Sequence, residues 1–415
     1  MIRILFLIED GSFLFDNRVR REARTLRDAG AEVTVICPRS PGEPWHDVSE
    51  GIRVYRYPLP PLTAGFASHV LEYLVSFCAQ TLLTAWVAWR HGFDAIHAAN
   101  PPDLMWLIAL PYRILRGTRF VFDHHDLVPE LFEDRFGTSR VRLAAIMRFL
   151  ERRSFALAHH VVSTNEHYRG VALARGGKRP EDVTVVRNGP DARDFPAAAA
   201  DQRIRALGRI VVGYLGNMNP QDGVDRFFAV ARLIRHKHGR TDIGFVMVGG
   251  GDCFADLKRL RGELGLTDAV AMTGRLAWPE VLATLRATDI CVQPDPPGRL
   301  NDRSTMNKLM DYMALGRAVV AYDLAETRVS GGDAVCYAPD SSIEALAAAV
   351  LSIADDPTRM AELQRAGLER VRNVLGWSHQ SHRLVEVYAK LFPGRLSPVA
   401  DASAAEWVGA PGSAS

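Results

Sequence analysis

The sequence predicts an α/β protein made of two doubly wound, parallel-sheet domains, and three observations carry that expectation. Apolar runs of strand length alternate with stretches of helical spacing along most of the chain, as they do where helices connect parallel strands. The alternation pauses at the Pro-bounded, Ala-rich stretch "PAAAADQRIRALG", read as a linker, and then resumes. The chain has 415 residues, long for one domain and comfortable for two, each with its own core. These observations set an N-terminal domain over residues 1–198 and a C-terminal domain over 207–376, with the boundary near 197–207.

The first strand is "IRILFLI", followed by the loop "EDGSFLFDNR". "VRREARTLRDAG" then has helical spacing and a Gly stop, and "AEVTVICP" is the next strand. The order continues with "RVYRYPL", a helix around 69–90, "DAIHAA", the helix "DLMWLIALPYRIL" and "RFVFDHH". A long helix from about 139 to 158 precedes "HVVSTN" and "VTVVRNG". The second domain repeats the theme with "RIVVGYLGN", "DIGFVMVGGGD", "AVAMTG", "DICVQPD", "AVVAYDL" and "DAVCYA". A helix near 377–392 is expected to return to the first domain, and the small, polar tail over 393–415 reads as disordered.

Composition narrows the function. With 47% apolar and 24% charged residues the chain is ordinary for a globular protein, and a net charge of +2 argues against bulk electrostatic binding to nucleic acid. Five scattered cysteines without a Cys-x-x-Cys pair fit a reducing, cytosolic compartment rather than a disulfide framework or zinc site. The N-terminal run is too short for a signal peptide and meets acids at once, so it reads as a strand. The uncharged stretch "YLVSFCAQTLLTAWVAW" is at the lower limit for a membrane span, contains Ser, Gln and Thr, and is expected to be a helix buried inside the domain.

In open parallel sheets ligands bind beyond the carboxyl ends of the strands, and two such domains would offer loops from both sides of a cleft. The segment "DRSTMNKLMDYMALG" concentrates Arg303, Ser304, Thr305, Asn307 and Lys308 where a helix should begin. A helix N-terminus offers free N–H groups and a partial positive charge; two cations and three polar side chains would complete an anion cradle suited to a diphosphate. A capped helix with two solvated cations reads equally well from spacing alone. "GGGD", including Gly250, and "YLGN", with Gly216, each read as close backbone approach to a ligand or as a tight strand-to-helix turn. Asp222 and Gly223 read best as a helix cap. The pair His124–His125 ends a strand, where packing and chemistry are both open.

The segment "STMNKLMDYMALGRAVVAYDLAETR" resembles the nucleotide-sugar segment of glycosyltransferase family 4, retaining enzymes with the two-domain GT-B fold. "YLGNMNPQDGVD", "VMVGGGD", "MTGRLAWPEV" and "DICVQPD" follow in the family's order. In the first half, "DNRVRREARTLRDAGAEVTVIC", "FDAIHAANPPDL" and "FVFDHHDLVPELF" are similar too. Their shared order carries the resemblance. It implies transfer of a sugar from a nucleotide-sugar donor to a glycan or lipid-linked acceptor, with retention of configuration, no cofactor and no metal ion. In agreement, no Asp-x-Asp motif stands at a strand end.

The resemblance assigns Asp311 to the ribose hydroxyls, Arg275 to the base and His125 to the donor sugar, with His124 as the alternative on the acceptor side. It places Gly11, in the first loop, and Arg18 near the acceptor, and favours the donor-binding reading of Gly216 and Gly250. The chain departs from the family at several points. Asp311 stands for a usual Glu, and Gly11 is the one glycine of a usual pair in the first loop. Asn217, still expected on the donor side, lies in a loop that usually carries cations. Arg303 stands where an acid is usual, and Asn217 and Asp222 stand where an Arg and a Lys are usual. The cations are thus displaced to Arg303 and Lys308, which are expected to neutralise the departing diphosphate. The rival readings are a GT-B nucleotide-sugar epimerase and a non-catalytic nucleotide-sugar-binding protein. The helix "SRVRLAAIMRFLERRSFALA", with Arg140, Arg142, Arg148, Arg152 and Arg153, reads as a solvated basic edge or as a peripheral contact with an inner-leaflet surface.

Overall fold

The computed structural model describes residues 1–9, 11–60, 66–136 and 141–398. It divides into two compact units, Met1–Asn188 with residues 377–398, and Gly189–Gly376. Arg140 and residues 399–415 of the tail lie outside the described residues.

Unit 1 contains β1 (Arg3–Leu7), α1 (Asn17–Asp28), β2 (Glu32–Pro38), β3 (His46–Ser49), β4 (Ile52–Tyr57), α2 (Phe66–Arg90) and β5 (Ala95–Ala99). It continues through α3 (Met105–Arg116), β6 (Arg119–His124), α4 (Val128–Phe136), α5 (Val141–Leu157), β7 (His160–Ser163), α6 (Glu166–Ala174) and β8 (Val183–Val185). The sheet order is β3-β4-β2-β1-β5-β6-β7-β8, parallel throughout except for the short antiparallel edge strand β3. Central strands are buried on both faces, which is why they read as continuous apolar runs. The chain enters α1 through Asp16, whose carboxylate accepts the Val19 N–H at 3.0 Å.

Unit 2 begins with α7 (Gln202–Arg205), β9 (Ile210–Leu215), α8 (Val224–Arg232), β10 (Ile243–Val248), α9 (Phe254–Glu263), β11 (Val270–Gly274) and α10 (Trp278–Arg286). Then come β12 (Ile290–Gln293), α11 (Asn307–Ala314), β13 (Ala318–Tyr322), α12 (Ala325–Gly331), β14 (Val335–Ala338), α13 (Ile343–Ala354) and α14 (Pro357–Arg370). Its six parallel strands run β11-β10-β9-β12-β13-β14, so the winding reverses between β9 and β12. Helices α8, α9 and α13 cover one face of this sheet and α10 and α11 the other. The last helix, α15 (Ser378–Leu391), packs with α1 on one face of unit 1, while α2, α3, α5 and α6 cover the opposite face.

Three expectations need correction. The stretch read as a linker belongs to unit 2: Phe195 and Ile204 are buried in its core, and the Asp201 N–H donates to the Ala283 carbonyl at 2.9 Å. The division therefore falls at Asn188/Gly189 rather than at 197–207. Residues 393–398 are docked rather than disordered, for Leu396 packs on the unit 1 core and the Ser397 N–H donates to Ala29 O at 3.0 Å.

The third concerns α2, which is not buried. Its inward stripe is Ser76, Gln80, Thr84 and Val87, at helical spacing, while Leu71, Leu74, Leu82 and Trp89 face outward and are exposed, and Trp86 packs edge-on against Tyr55 at 4.9 Å. The inward side meets polar groups: Ser76 Oγ donates to Glu9 at 3.1 Å, and Gln80 Nε2 donates to Ile8 O at 3.0 Å and Tyr57 Oη at 2.9 Å. A charge-free sequence suggested a buried helix; its polar side chains instead chose which side went in.

At the end of β10, Gly249 has φ 132°, and its N–H donates to Gly274 O at 3.0 Å. A Cβ there would overlap the carbonyl of Gly216. Gly249→Ala should therefore lower the stability of unit 2 by at least ~1–3 kcal/mol, read as the midpoint of a urea titration, because strain and overlap act together.

Candidate active site

Doubly wound sheets bind ligands where the strand order reverses, so the β9/β12 crevice is the first place to look in unit 2. There Lys308, in the first turn of α11, extends over Gly216, and its Cε lies 3.2 Å from where a Gly216 Cβ would be. Its Nζ donates to both oxygens of Asp295, at 3.0 and 3.2 Å, and stands 5.0 Å from the Tyr214 ring centre. Asp295 follows β12 and is fully buried. Burial works against the ammonium, but the charge of Asp295 outweighs it and raises the Lys308 pKa, so the side chain is a permanent cation. Asp222, nearby, is pushed up by burial.

The helix start is arranged differently from the expectation. The cap position of α11 is Met306, whose side chain makes no cap hydrogen bond. Ser304 Oγ instead donates to Leu300 O at 2.9 Å, and Thr305 Oγ1 to Glu326 at 3.3 Å, so both fasten the preceding loop. Arg303 is exposed, as is Asn307, and Asp311 is buried one turn after Lys308. Gly250 abuts Arg275, whose Cγ lies 3.2 Å from a Gly250 Cβ position, and the Gly250 carbonyl accepts Met218 N–H at 3.0 Å. Asn217 is exposed and its carbonyl accepts the Tyr214 hydroxyl at 2.6 Å. Asp222 caps its own turn, accepting the Asn219 N–H at 2.9 Å.

At the strand ends of unit 1 lies a buried charge network. Arg18, in the first turn of α1, donates to Asp123 through Nε at 3.0 Å and Nη2 at 2.7 Å, and its Nη2 pairs with Glu22 at 3.0 Å. Nη1 donates to Val186 O at 2.8 Å and also reaches Asn188. His97 Nε2 is 3.3 Å from Glu22 and 3.4 Å from Asp123, while Nδ1 meets the Tyr388 hydroxyl at 2.9 Å. His125 Nε2 contacts Asp123 directly. Asn100 Oδ1 accepts the N–H groups of His125 and Asp126, at 2.6 and 3.1 Å, fixing the turn that presents this imidazole.

The electrostatics follow from these contacts. Burial pulls His97 down, but hydrogen bonds to Asp123 and Glu22 prevail and push it up to about 9. His125 is likewise raised, against burial, by the Asp123 charge. Burial would raise Asp123, yet Arg18 and His125 hold it well below the carboxylate range. Burial raises Glu22. Glu22, His97 and Asp123 offer three ligand atoms within 4.8 Å of one another, a geometry that could hold a metal ion. The Arg18 guanidinium already lies against both carboxylates, so the donor set is matched to that cation.

Two acceptor-side expectations do not survive. His124 is fully buried among Phe122, Phe155 and Tyr168, and burial lowers its pKa to about 3, so it is a neutral core group beyond the reach of an acceptor. Arg18 is buried and spent on Asp123, Glu22, Val186 and Asn188, which makes it an organiser of the strand ends. A Cβ at Gly11 would meet open space. Sequence reading passed over Asp295, Tyr214, Asp123, Glu22, His97 and Asn100. The legible signal was position: Asp295 in "QPD" and Asp123 in "FDHH" both stand at strand ends.

The "Glycosyl transferase 4-like domain" family matches residues 16–189, and "Glycosyl transferases group 1" matches residues 209–356. The chain belongs to glycosyltransferase family 4. This glycosyltransferase is 26% identical over 416 residues to glycogen synthase from Mycobacterium tuberculosis, with 92% of each chain covered. Its fold is GT-B. Sucrose-phosphate synthase from Thermosynechococcus elongatus superposes with a TM-score of 0.75 at 19% identity, over 94% of this chain and 99% of that one. HepE from Anabaena, in complex with UDP and glucose, gives 0.67 at 16% identity, over 94% and 100%.

Removing Lys308 alone strands a buried carboxylate. Lys308→Met should destabilise unit 2 by ~3–5 kcal/mol in urea titrations, and Lys308→Met with Asp295→Leu should regain most of that loss. For His97, a folded-state pKa raised above the ordinary 6.5 means that its stabilisation is full below pH 6.5 and disappears as pH rises through about 9. The unfolding free energy lost in His97→Gln should therefore be largest in acid, ~3 kcal/mol, and shrink across that window.

Proposed function

We propose that this glycosyltransferase moves a sugar from a nucleotide-sugar donor to a glycan or lipid-linked acceptor, with retention of configuration and without a metal ion. Unit 2 binds the donor and unit 1 the acceptor. The observation that carries the donor assignment is Lys308, a permanent cation held over Gly216 at the strand-order reversal, in the first turn of a helix whose cap residue, Met306, makes no side-chain cap hydrogen bond. A nucleoside diphosphate suits that combination of point charge and helix N-terminus, and UDP bound to HepE supports the class.

Breaking the bond between an anomeric carbon and a diphosphate places negative charge on phosphate oxygen. Lys308 and the α11 amides stabilise that charge where it develops. Because Asp295 balances Lys308 before the donor arrives, the incoming diphosphate shares an ammonium already fixed in position and ionisation state. Arg303, exposed in the preceding loop, adds a second, solvent-screened charge. Asp311 takes the ribose hydroxyls. In unit 1, His125, raised by Asp123 and partly accessible, is a hydrogen-bond donor suited to a sugar hydroxyl. A lipid-linked acceptor would bring the enzyme to the inner membrane surface, a role for which α5 offers exposed Arg142, Arg152 and Arg153 beside Ile146 and Phe149.

Transfer assays with UDP-, GDP- and ADP-sugars and a panel of acceptors test this reading. NMR of the product should show the anomeric configuration of the donor, and EDTA should leave the rate unchanged. Lys308→Met with Asp295→Leu should fold yet lose ~10²-fold or more in kcat, whereas Arg303→Ala should lose ~10-fold, more at low salt. Inverted product, loss with EDTA, or turnover of donor without acceptor would reject it.

A further inference from the structure

Helix α2 is unusual for a water-soluble protein: Ser76 and Gln80 on its inward side bond to the strand ends, and Leu71, Leu74, Leu82 and Trp89 point away. Trp89 is 79% exposed and Leu82 72%. The neighbouring helix continues this surface, with Ile114 70% and Leu115 81% exposed near the C-terminal end of α3. Arg116 ties the two helix ends together by donating to Ala88 O at 3.2 Å. Helix α3 packs in turn against α5, whose outward Ile146 and Phe149 are also exposed. A contiguous apolar face of this kind on one helical layer marks a surface that something covers.

Charge selects the occupant. The only acids on α2, α3 and α5 are Glu72 and Glu151, and Glu151 is buried against Arg175. Exposed arginines stand on all three helices, at Arg90, Arg116, Arg142, Arg152 and Arg153. A second copy of the same face would set these cations against one another. A sheet of anionic headgroups complements them, and tryptophans beside arginines are the side chains that settle at a lipid–water interface. Because Ser76 and Gln80 bind α2 to the sheet, the helix lies along a surface instead of crossing it.

We propose that the α2–α3–α5 face of unit 1 is a lipid-binding surface that seats on an anionic bilayer, with Leu82, Trp89, Ile114 and Leu115 in the headgroup–acyl boundary and the arginines at the phosphates. This rests on the lipid-linked branch of the proposed function and names the surface that would serve it.

The full chain is tested by co-flotation with vesicles of phosphatidylcholine alone or with phosphatidylglycerol. Wild type should float with the anionic vesicles, less at high salt. Leu82→Ser with Trp89→Ser, and independently Ile114→Ser with Leu115→Ser, should each lower partitioning ~10-fold or more while melting temperature and donor-induced thermal shift stay at wild-type values. Wild-type protein that stays at the bottom of the gradient overturns the proposal, and so do variants that float as well as wild type. Loss caused only by Arg152→Glu with Arg153→Glu overturns it in favour of α5 alone. A dimer in light scattering that the serine substitutions dissolve overturns it in favour of self-association. Thermal shifts with donor in a chain that does not float leave the glycosyltransferase reading standing; flotation without donor binding separates the two the other way.

Discussion

Unit 1 is organised around the contact between Arg18 and Asp123. One guanidinium joins the first turn of α1 to the end of β6, the backbone beyond β8 and the side chain of Glu22. Placing so many charges out of water is costly unless each finds its partner, and here the partners are themselves polarised. Asp123 answers Arg18, His97 and His125 together, and His97 passes the constraint to Tyr388 on α15. The geometry at the strand ends is thereby over-determined. The imidazole of His125 has one orientation because its carboxylate partner has none to spare.

Unit 2 solves a related problem with fewer parts. Asp295, wholly buried, holds Lys308 charged and aimed across the β9/β12 crevice. Both units thus use an internal carboxylate to fix a cation beyond the carboxyl ends of parallel strands, the region where such sheets present ligand sites. The difference lies in what remains for a ligand. Arg18 is enclosed by its own side of the protein, whereas Lys308 leaves a flank beside Gly216, where a side chain is sterically disallowed. A pre-positioned charge of this type needs no reorganisation when negative charge develops against it.

The alternation of strands and helices was legible because buried parallel strands must be continuous apolar runs, as in "IRILFLI" and "RIVVGYL". The short edge strand β3, "HDVS", carries no such signature and went unread. Lys308 and Gly216 could be picked out because strand-end glycines and helix-start cations are locally encoded. Asp295 and Glu22 could not, since what matters about them is which distant charge they face. Ser304 and Thr305 looked like caps by proximity to α11, but the chain turns once more before the helix starts at Asn307. Arg18 and His124 were assigned outward roles by the family resemblance, and burial reversed both. In α2 the lack of charge was read as burial, when the polar side chains were the inward ones. Composition counts apolar residues without saying which way they point.

The return of the chain to unit 1 has a consequence for biosynthesis. Trp377 donates to Thr25 at 2.8 Å and Tyr388 meets His97, so the core around α1 is closed by side chains that leave the ribosome some 350 and 290 positions later. Unit 2 is continuous from Gly189 to Gly376 and has every strand it needs before α15 is made. Emergence order and completion order are therefore opposite: the half synthesised first is finished last, and its buried charges wait for the C-terminal helix to seal them from solvent.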